Sequence, residues 1–416
     1  MLTSFSTALS ALTAHSTAID VVGNNLANLN TPGYKTSVVS FNDLVTQSLG
    51  AGLGETQVGF GVGRPVTLRQ FTQGAIQTTG GTMDAAIQGD GFFIVKLASG
   101  GTAYTRGGNF QVDLTGALTT ATGQRIQGWS QLKADGTVDT NANVEDIVVP
   151  VGNLKNPVAT SAFDLDLNLN AAGTAGPPAT AFSTTVEVYD SLGKSHVVSL
   201  NFTRSATNNQ WDYSLSVPDA DLTAPFTPVT GTVEFDTNGK LVTPSATAAQ
   251  PTMAITGLAN GASDLNLTWN LWDGTRARLT QFTQESGVSA LAQNGSPTSN
   301  LARVSLADGG KIIAQYTNGT QVVVGQLAMA MVRNPASLIA VGNNNFQLSA
   351  RSAEAAVGLP GTGGRGLALG GVVESSTVDI AREVTNLIVY QRGYQANGKV
   401  IVTADEISQE TINLKR

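Results

Sequence analysis

AIDVVGNNLANLNTPGYK, residues 18 to 35, marks where the first element of this chain ends. Working upstream from it, apolar residues fall at Leu2, Phe5, Leu9, Leu12, Ile19 and Leu26. That three-four spacing draws one stripe along a helix, with Ser16 and Gly23 as its gaps. The helix is stopped from Asn28 to Gly33, where asparagine, a proline that cannot continue a helix and a glycine for the turn follow one another. The carboxyl end repeats the device. From about Thr377, the residues Ile380, Val384, Leu387, Tyr394 and Ile401 share a face, with Gln391 and Gly398 at the interrupted positions. Two such helical ends on a body of strand, turn and glycine predict a mainly β chain with α-helical termini, made for assembly.

Downstream of Gly33, residues 31 to 70 read as a connector. FNDLVTQSL, from Phe41, carries weak helical promise, and the glycine-dense AGLGETQVGFGVGRP after it favours an irregular path. From Phe71 the text turns to strands and turns: FFIVKL, AYTRGGNFQVD, a turn at Leu114 to Gly116, RIQGW and an Asp135-Gly136 turn. AFDLDLNLN alternates strictly, with Phe163, Leu165, Leu167 and Leu169 on one face and Asp164 and Asp166 on the other. VEVYDSLGKSHVVSLNF and VEFDTNGKLV carry hairpin signals, so antiparallel sheet is expected. Further strands, KIIAQY and QVVVGQLAMAMV, flank a TNGT turn, and GLPGTGGRGLALGG reads as a flexible strap before the last helix. The near-palindromic order predicts nested domains. Residues 1–30 plus 375–416 form a helical core domain, 31–70 a connector, 71–145 plus 278–365 a middle β domain, 146–277 an outer β domain, and 366–374 the strap.

Composition narrows the function. At 416 residues, a prior of roughly two to three domains applies. Hydrophobic residues make up 41% of the chain and charged ones only 13%, about half the usual charged share. A net charge of −7 without a clustered basic face argues against a nucleic-acid partner. With no cysteine there is neither disulfide nor thiolate chemistry. The amino terminus MLTSFSTALSALTAH lacks the charged and apolar regions of a secretory signal. No apolar run reaches the ~20 residues of a membrane helix; the best, Val322 to Val332, is broken by Gly325 and Gln326. No direct membrane insertion is expected.

Residues able to carry chemistry are few. The two histidines, His15 and His196, have no partner at metal-ligand spacing and read as structural. Asp164 and Asp166 could suggest a hydrolase or calcium pair, but a solvated strand face explains them. Gly361, Gly363 and Gly366 satisfy G-x-G-x-x-G, yet the helix begins too far downstream to cradle a pyrophosphate. Without a nucleophile elbow or P-loop, no enzyme, metal or cofactor is expected. The terminal stripes remain. Isolated helices of this length are marginal in water, so the ends are expected to order by packing on neighbouring copies.

The opening stretch closely resembles the rod and hook family of bacterial flagellar axial proteins, through Asn24, Asn25, Ala27, Asn28, Asn30, Thr31, Pro32, Gly33 and Tyr34. GDGFF at 89 to 93 and YTRGGNF at 104 to 110 resemble its next signatures. ESSTVDIAREVTNLIVYQRGYQANGKVI, from Glu374, is similar to its terminal helix, including Gln391, Arg392, Tyr394 and Asn397. The large central insertion favours the hook member over the distal rod member.

The resemblance implies a self-polymerising tube, with the terminal helices as a coiled-coil core, the first β domain in the middle shell and the insertion outside. The hook in this family is the flexible universal joint that carries motor torque to the filament. Implied partners are the flagellar rod, the hook cap, the hook-filament junction proteins and the flagellar type III export apparatus. The implied location is the flagellum, outside the cell after export. Phe41 and Val45 resemble the Phe-x-x-x-hydrophobic motif by which early substrates engage the export gate. Two other readings stay open: a distal rod subunit, and a secreted adhesin whose β domains bind a ligand.

Overall fold

Two helices bracket the chain in the computed structural model, which describes residues 2–44, 46–48, 57–133, 137–152, 154–176 and 178–413. Helix α1 spans Leu2–Ala27 and α2 spans Ile380–Asn413. Asp379 starts α2: its Oδ1 accepts the N–H groups of Ala381 and Arg382 at 2.9 and 3.2 Å, which satisfies donors that have no partner inside the helix. The helix then runs unbroken through Gly393 and Gly398.

The two ends, expected to order only against neighbouring copies, pack on each other within the chain. Asn25 meets Glu383, His15 meets Gly393, and Ser4 shares a groove with Ala404, so the pair is antiparallel. The physical reason is a face of small residues. Ala8, Ala11, Ala14 and Ala18 are buried, and short side chains let two backbones approach closely enough for continuous contact.

The chain divides into two compact units, one of residues 1–151, 302–315 and 321–416, the other of residues 152–301 and 316–320. In the first, the helix pair and the middle β region, expected to be separate domains, fall in one unit. A 13-stranded sheet forms its body. Phe92, Ile94, Tyr104, Trp129 and Phe346 are buried together, and Phe71 stands edge-on to Phe92 and Phe346 at 5.5 and 5.2 Å. The connector is partly regular: Ser37–Ser40 pairs antiparallel with Val66–Arg69. The described residues of FNDLVTQSL are not helical. Asp43 bridges Val62, and Thr46–Ser48 pairs with Gln57–Gly59. β-Branched residues and an available partner strand override the weak helical pattern there.

The strap is not a loose linker either. Leu367–Gly370 pairs with Ala85–Gln88, and Val372–Glu374 pairs with Ile76–Thr78, so main-chain hydrogen bonds hold it against the body and deliver Glu374 to the start of α2. The Asp135-Gly136 turn lies outside the described residues.

The second unit carries two five-stranded sheets around one core. Ala162–Asn168 alternates as expected, burying Phe163, Leu165 and Leu167 on the side where Trp269 stacks on Phe163 at 6.3 Å. Hairpins Ala181–Tyr189 with Ser195–Arg204, and Val229–Phe235 with Leu241–Thr243, fall where their turn residues lie. Not every pairing is antiparallel: Ala162–Asn168 runs parallel to Leu265–Asn270 and to Leu279–Thr280. Its other edge pairs with Gly287–Gln293. Because those backbone groups have their partner in this sheet, the unit continues to residue 301 rather than ending at 277.

Candidate functional site

The signature stretch builds a buried polar junction that ties both chain ends to the sheet. Asn25, in the last turn of α1, is saturated. Its amide nitrogen donates to the Ser37 carbonyl at 2.8 Å and to Glu383 Oε2 at 3.2 Å, and its Oδ1 accepts from the Tyr34 hydroxyl at 3.2 Å and the Ser37 N–H at 3.1 Å. An asparagine side chain has two donors and two acceptor sites, and all are used. Gly33 turns the chain with φ +70° and donates its N–H to the Glu374 carbonyl at 2.7 Å. A Cβ there would lie 2.5 Å from the Arg106 carbonyl group, so only glycine fits.

Around this turn, Lys35 Nζ lies 2.6 Å from Glu374 Oε1 and 2.6 Å from the Thr72 carbonyl. Arg106 Nη1 is 3.4 Å from Glu374 Oε2, and its Nη2 donates to the Gly89 carbonyl at 2.7 Å. Gly74 adds an N–H to Glu374 Oε1 at 2.7 Å. Burial pushes Lys35 below its ordinary pKa, and pushes Arg106 down likewise; the Glu374 carboxylate opposes both shifts. The remaining signature residues lie nearer the surface. Asn28 donates to the Asn24 carbonyl and accepts from Thr31, Asn24 donates to the Tyr34 hydroxyl, Pro32 accepts from Asn344, and Asn30 is exposed.

The apolar stripes are not what joins the two helices. Phe5 and Leu9 are 42% and 51% exposed, and Leu12, Ile19 and Leu26 are half-buried. Leu2 opens α1, and its side chain lies outside those described. On α2, Ile380, Val384 and Tyr394 are exposed while Leu387 and Ile401 are half-buried. The inner face, Ala8, Ala11, Ala18, Val22 and Asn25, sits one residue earlier than the stripe, a rotation of about 100°. Ile388, Val389, Val402 and Ile412 extend the exposed apolar surface of α2. A groove of about 340 Å³, lined by Ser4, Lys399, Val400, Thr403, Ala404 and Ile407, opens along the pair.

Phe41 packs against His15 and Tyr390, with ring centroids 5.5 and 5.9 Å away, in an irregular segment and not in a short helix. Val45 lies outside the described residues. His196 is a buried staple: Nε2 is 2.9 Å from Asp190 Oδ2 and Nδ1 is 3.4 Å from Asp221 Oδ2. Asp164 and Asp166 do not stand free on a solvated face. Arg278 pairs with both at 2.9 Å and Arg276 with Asp166 at 2.9 Å. Among the described residues, no group of three His, Cys, Asp or Glu is placed to hold a metal ion, and no helix is long and apolar enough to cross a membrane. The glycines at 361, 363 and 366 form a turn filled by Arg365, which donates to the Leu359 and Ala356 carbonyls, and two strands separate it from α2.

Sequence reasoning passed over Lys35, Arg106, Glu374 and Glu383. A signal existed: in a chain so poor in charge, Lys35 closes the first signature, Arg106 sits inside YTRGGNF and Glu374 opens the last. Nothing local pairs residues that far apart in the chain. The alanine run of α1 was legible too, at three-four spacing, but small residues carry little weight in a hydrophobic pattern.

The pattern of matches to known families follows this architecture. Residues 5–35 match the flagella basal body rod protein family, and residues 86–161 the flagellar hook protein FlgE/F/G D1 domain. Residues 153–296 match the flagellar basal body protein FlaE D2 domain, and 369–414 the flagellar basal body rod FlgEFG protein C-terminal family. Over its whole length the chain is 33% identical to flagellar hook protein FlgE of Treponema pallidum, covering all of that protein. It is 31% identical to flagellar hook protein FlgE of Escherichia coli, covering 99% of this chain and all of that one. A looser likeness, at 14% identity and a TM-score of 0.49, links 66% of this chain to 94% of the crystal structure of Helicobacter pylori flagellar hook protein FlgE2. Matched end to end with flagellar hook proteins, the chain belongs to the FlgE family of flagellar hook proteins.

Proposed function

We propose that this hook subunit polymerises with copies of itself into a flexible tube, and that the exposed apolar stripes of α1 and α2 are its intersubunit bonds. The observation that carries this reading is the rotation between two faces. Small residues close the helix pair inside one chain, while Phe5, Leu9, Ile380, Val384 and Tyr394 stay exposed and have most to gain from a neighbour. Burying one large apolar side chain is worth about 1.5–3 kcal/mol, so a stripe repeated along a tube supplies a strong, continuous seam. The helix pair would form the inner core, the 13-stranded body the middle shell and the second unit the outside, where polar strand faces slide as the tube bends. No step of this function needs catalysis.

The proposed partners are the rod below, the cap during growth and the filament junction above. Export through the flagellar type III apparatus accords with a chain that has no cysteine to form disulfides. The Phe41 and Val45 motif would serve there only in the unfolded chain, because the fold engages Phe41 with His15 and Tyr390.

Electron microscopy of basal bodies from cells lacking the gene tests the function. Complete rods ending without a hook are expected. Truncated rods would move the protein inward, and intact hooks would end the reading.

A further inference from the structure

On the flank of α1 away from the apolar stripe lies a cavity of about 540 Å³ within the first unit. Its walls are rich in amide side chains, among them Asn24, Asn28 and Asn109, with Thr122 and the Asn343–Asn345 turn opposite. Arg69 is the single charged residue lining it. The guanidinium lies 5.1 Å from the Phe346 ring centroid and 6.0 Å from that of Tyr34, and among the described residues no carboxylate pairs with it. Cation–π attraction to two rings holds the guanidinium in place, and its forked N–H donors match the two oxygens of a carboxylate. An arginine held this way, as the one charge in a polar wall, suits a carboxylate.

The space is far larger than one small anion requires, since a water occupies ≈ 30 Å³ in the liquid; it suits a segment of polypeptide. Geometry points to a copy of this chain. Asn24 lies about 150° around α1 from the Ile19 and Leu26 edge, at about 100° per residue, and Asn28 follows in the turn after the helix. An assembly that grows without closing needs two different faces on each subunit, one to offer and one to accept. This polar flank is distinct from the apolar stripe, so it would accept a different, polar segment of the neighbouring copy. Acidic residues outnumber basic ones 30 to 23, so every copy brings carboxylates that its own cations do not balance.

We propose that the Arg69 cavity is a socket between subunits that takes a carboxylate-bearing segment of a neighbouring copy. This rests on the hook reading and adds a polar, orientation-setting contact to the apolar seam.

The test uses the full chain with Ala121, at the cavity wall, replaced by the photo-cross-linker benzoyl-phenylalanine, and Thr122 replaced likewise in a second variant. Irradiated hooks should yield covalent ladders of this chain, absent from irradiated monomer, with adducts mapped to peptides that contain Asp or Glu. Arg69→Met, which keeps the packing stem and removes the charge, should lower the cross-link yield about tenfold, while the monomer, losing only the cation–π contacts to Phe346 and Tyr34, stays folded and melts cooperatively. Parent chain that forms no hooks overturns the hook reading and the socket with it. Hooks that form while both positions give only intrachain adducts, or adducts with a different protein, overturn the socket alone. Undiminished cross-linking in Arg69→Met also overturns it.

Discussion

The ammonium of Lys35 lies 2.6 Å from a carboxylate oxygen of Glu374, and neither side chain has any exposure to water. The pair joins the turn after α1 to the strand before α2, so one contact tethers both ends of the chain. Removing one partner leaves the other charge buried, which costs about 3–5 kcal/mol. Lys35→Met is expected to destabilise the first unit by that amount. Lys35→Met with Glu374→Leu is expected to cost less than the two single changes added. Hydrogen exchange in urea, read on peptides of the first unit, measures both; strict additivity would mean that the two charges act independently.

A methyl group on Gly393 would stand 2.6 Å from the His15 ring, whereas one on Gly398 would meet nothing within 4 Å. The imidazole cannot retreat easily, being wedged between Phe41 and Tyr390. Gly398→Ala is therefore expected to stabilise α2 by about 1 kcal/mol through helix propensity. Gly393→Ala, with the same propensity gain, is expected to destabilise by about 1–3 kcal/mol through overpacking. Thermal unfolding of the two variants should show shifts of opposite sign.

Leu9→Asp places a charge on a residue that is half exposed in the single chain, so its effect on folding should stay within about 0.5 kcal/mol. In the polymer the same carboxylate would be buried without a partner, and hooks should be lost. Leu387→Asp should do the same, with some added cost to the helix pair because Leu387 is half-buried. Hooks of normal length and number from either variant would remove the stripes from the assembly surface.

Acid should loosen the second unit at the His196 staple. Burial alone would raise the pKa of Asp190, but hydrogen bonds from His196, Asn260 and the Lys194 and Leu192 N–H groups outweigh it and hold the carboxyl below its ordinary 3.8. Asp221 is held below the same value, chiefly by Lys194. A carboxyl depressed in the fold contributes stability that is complete above its unfolded value and lost as pH falls through its folded value. Stability of the second unit should therefore hold above pH 3.8 and decline below it. Asp190→Asn should cost about 1–3 kcal/mol at neutral pH and flatten the acid decline. Denaturant midpoints across this range, followed by fluorescence of Trp211 and Trp269, provide the measurement.

Periodicity determined a great deal by itself. The three-four spacing of α1 and α2, the two-residue alternation of AFDLDLNLN and the glycine-bearing hairpin turns each reflect a rule that acts over a few residues, and each is found where it was read. The family was equally legible, since its signature is contiguous.

Tertiary structure decided which residues meet. It rotated α1 so that alanines, not leucines, face α2, because close approach of two backbones depends on what the partner helix offers. It turned a glycine-rich strap into paired strands by supplying edges at 76–78 and 85–88, and carried the outer unit past residue 277 by pairing Gly287–Gln293 with Ala162–Asn168. It also brought Lys35, Arg106 and Glu374 into one buried cluster. A charge is worth burying only beside its counterion, and which counterion arrives is settled by the fold of the intervening chain rather than by any pattern along it.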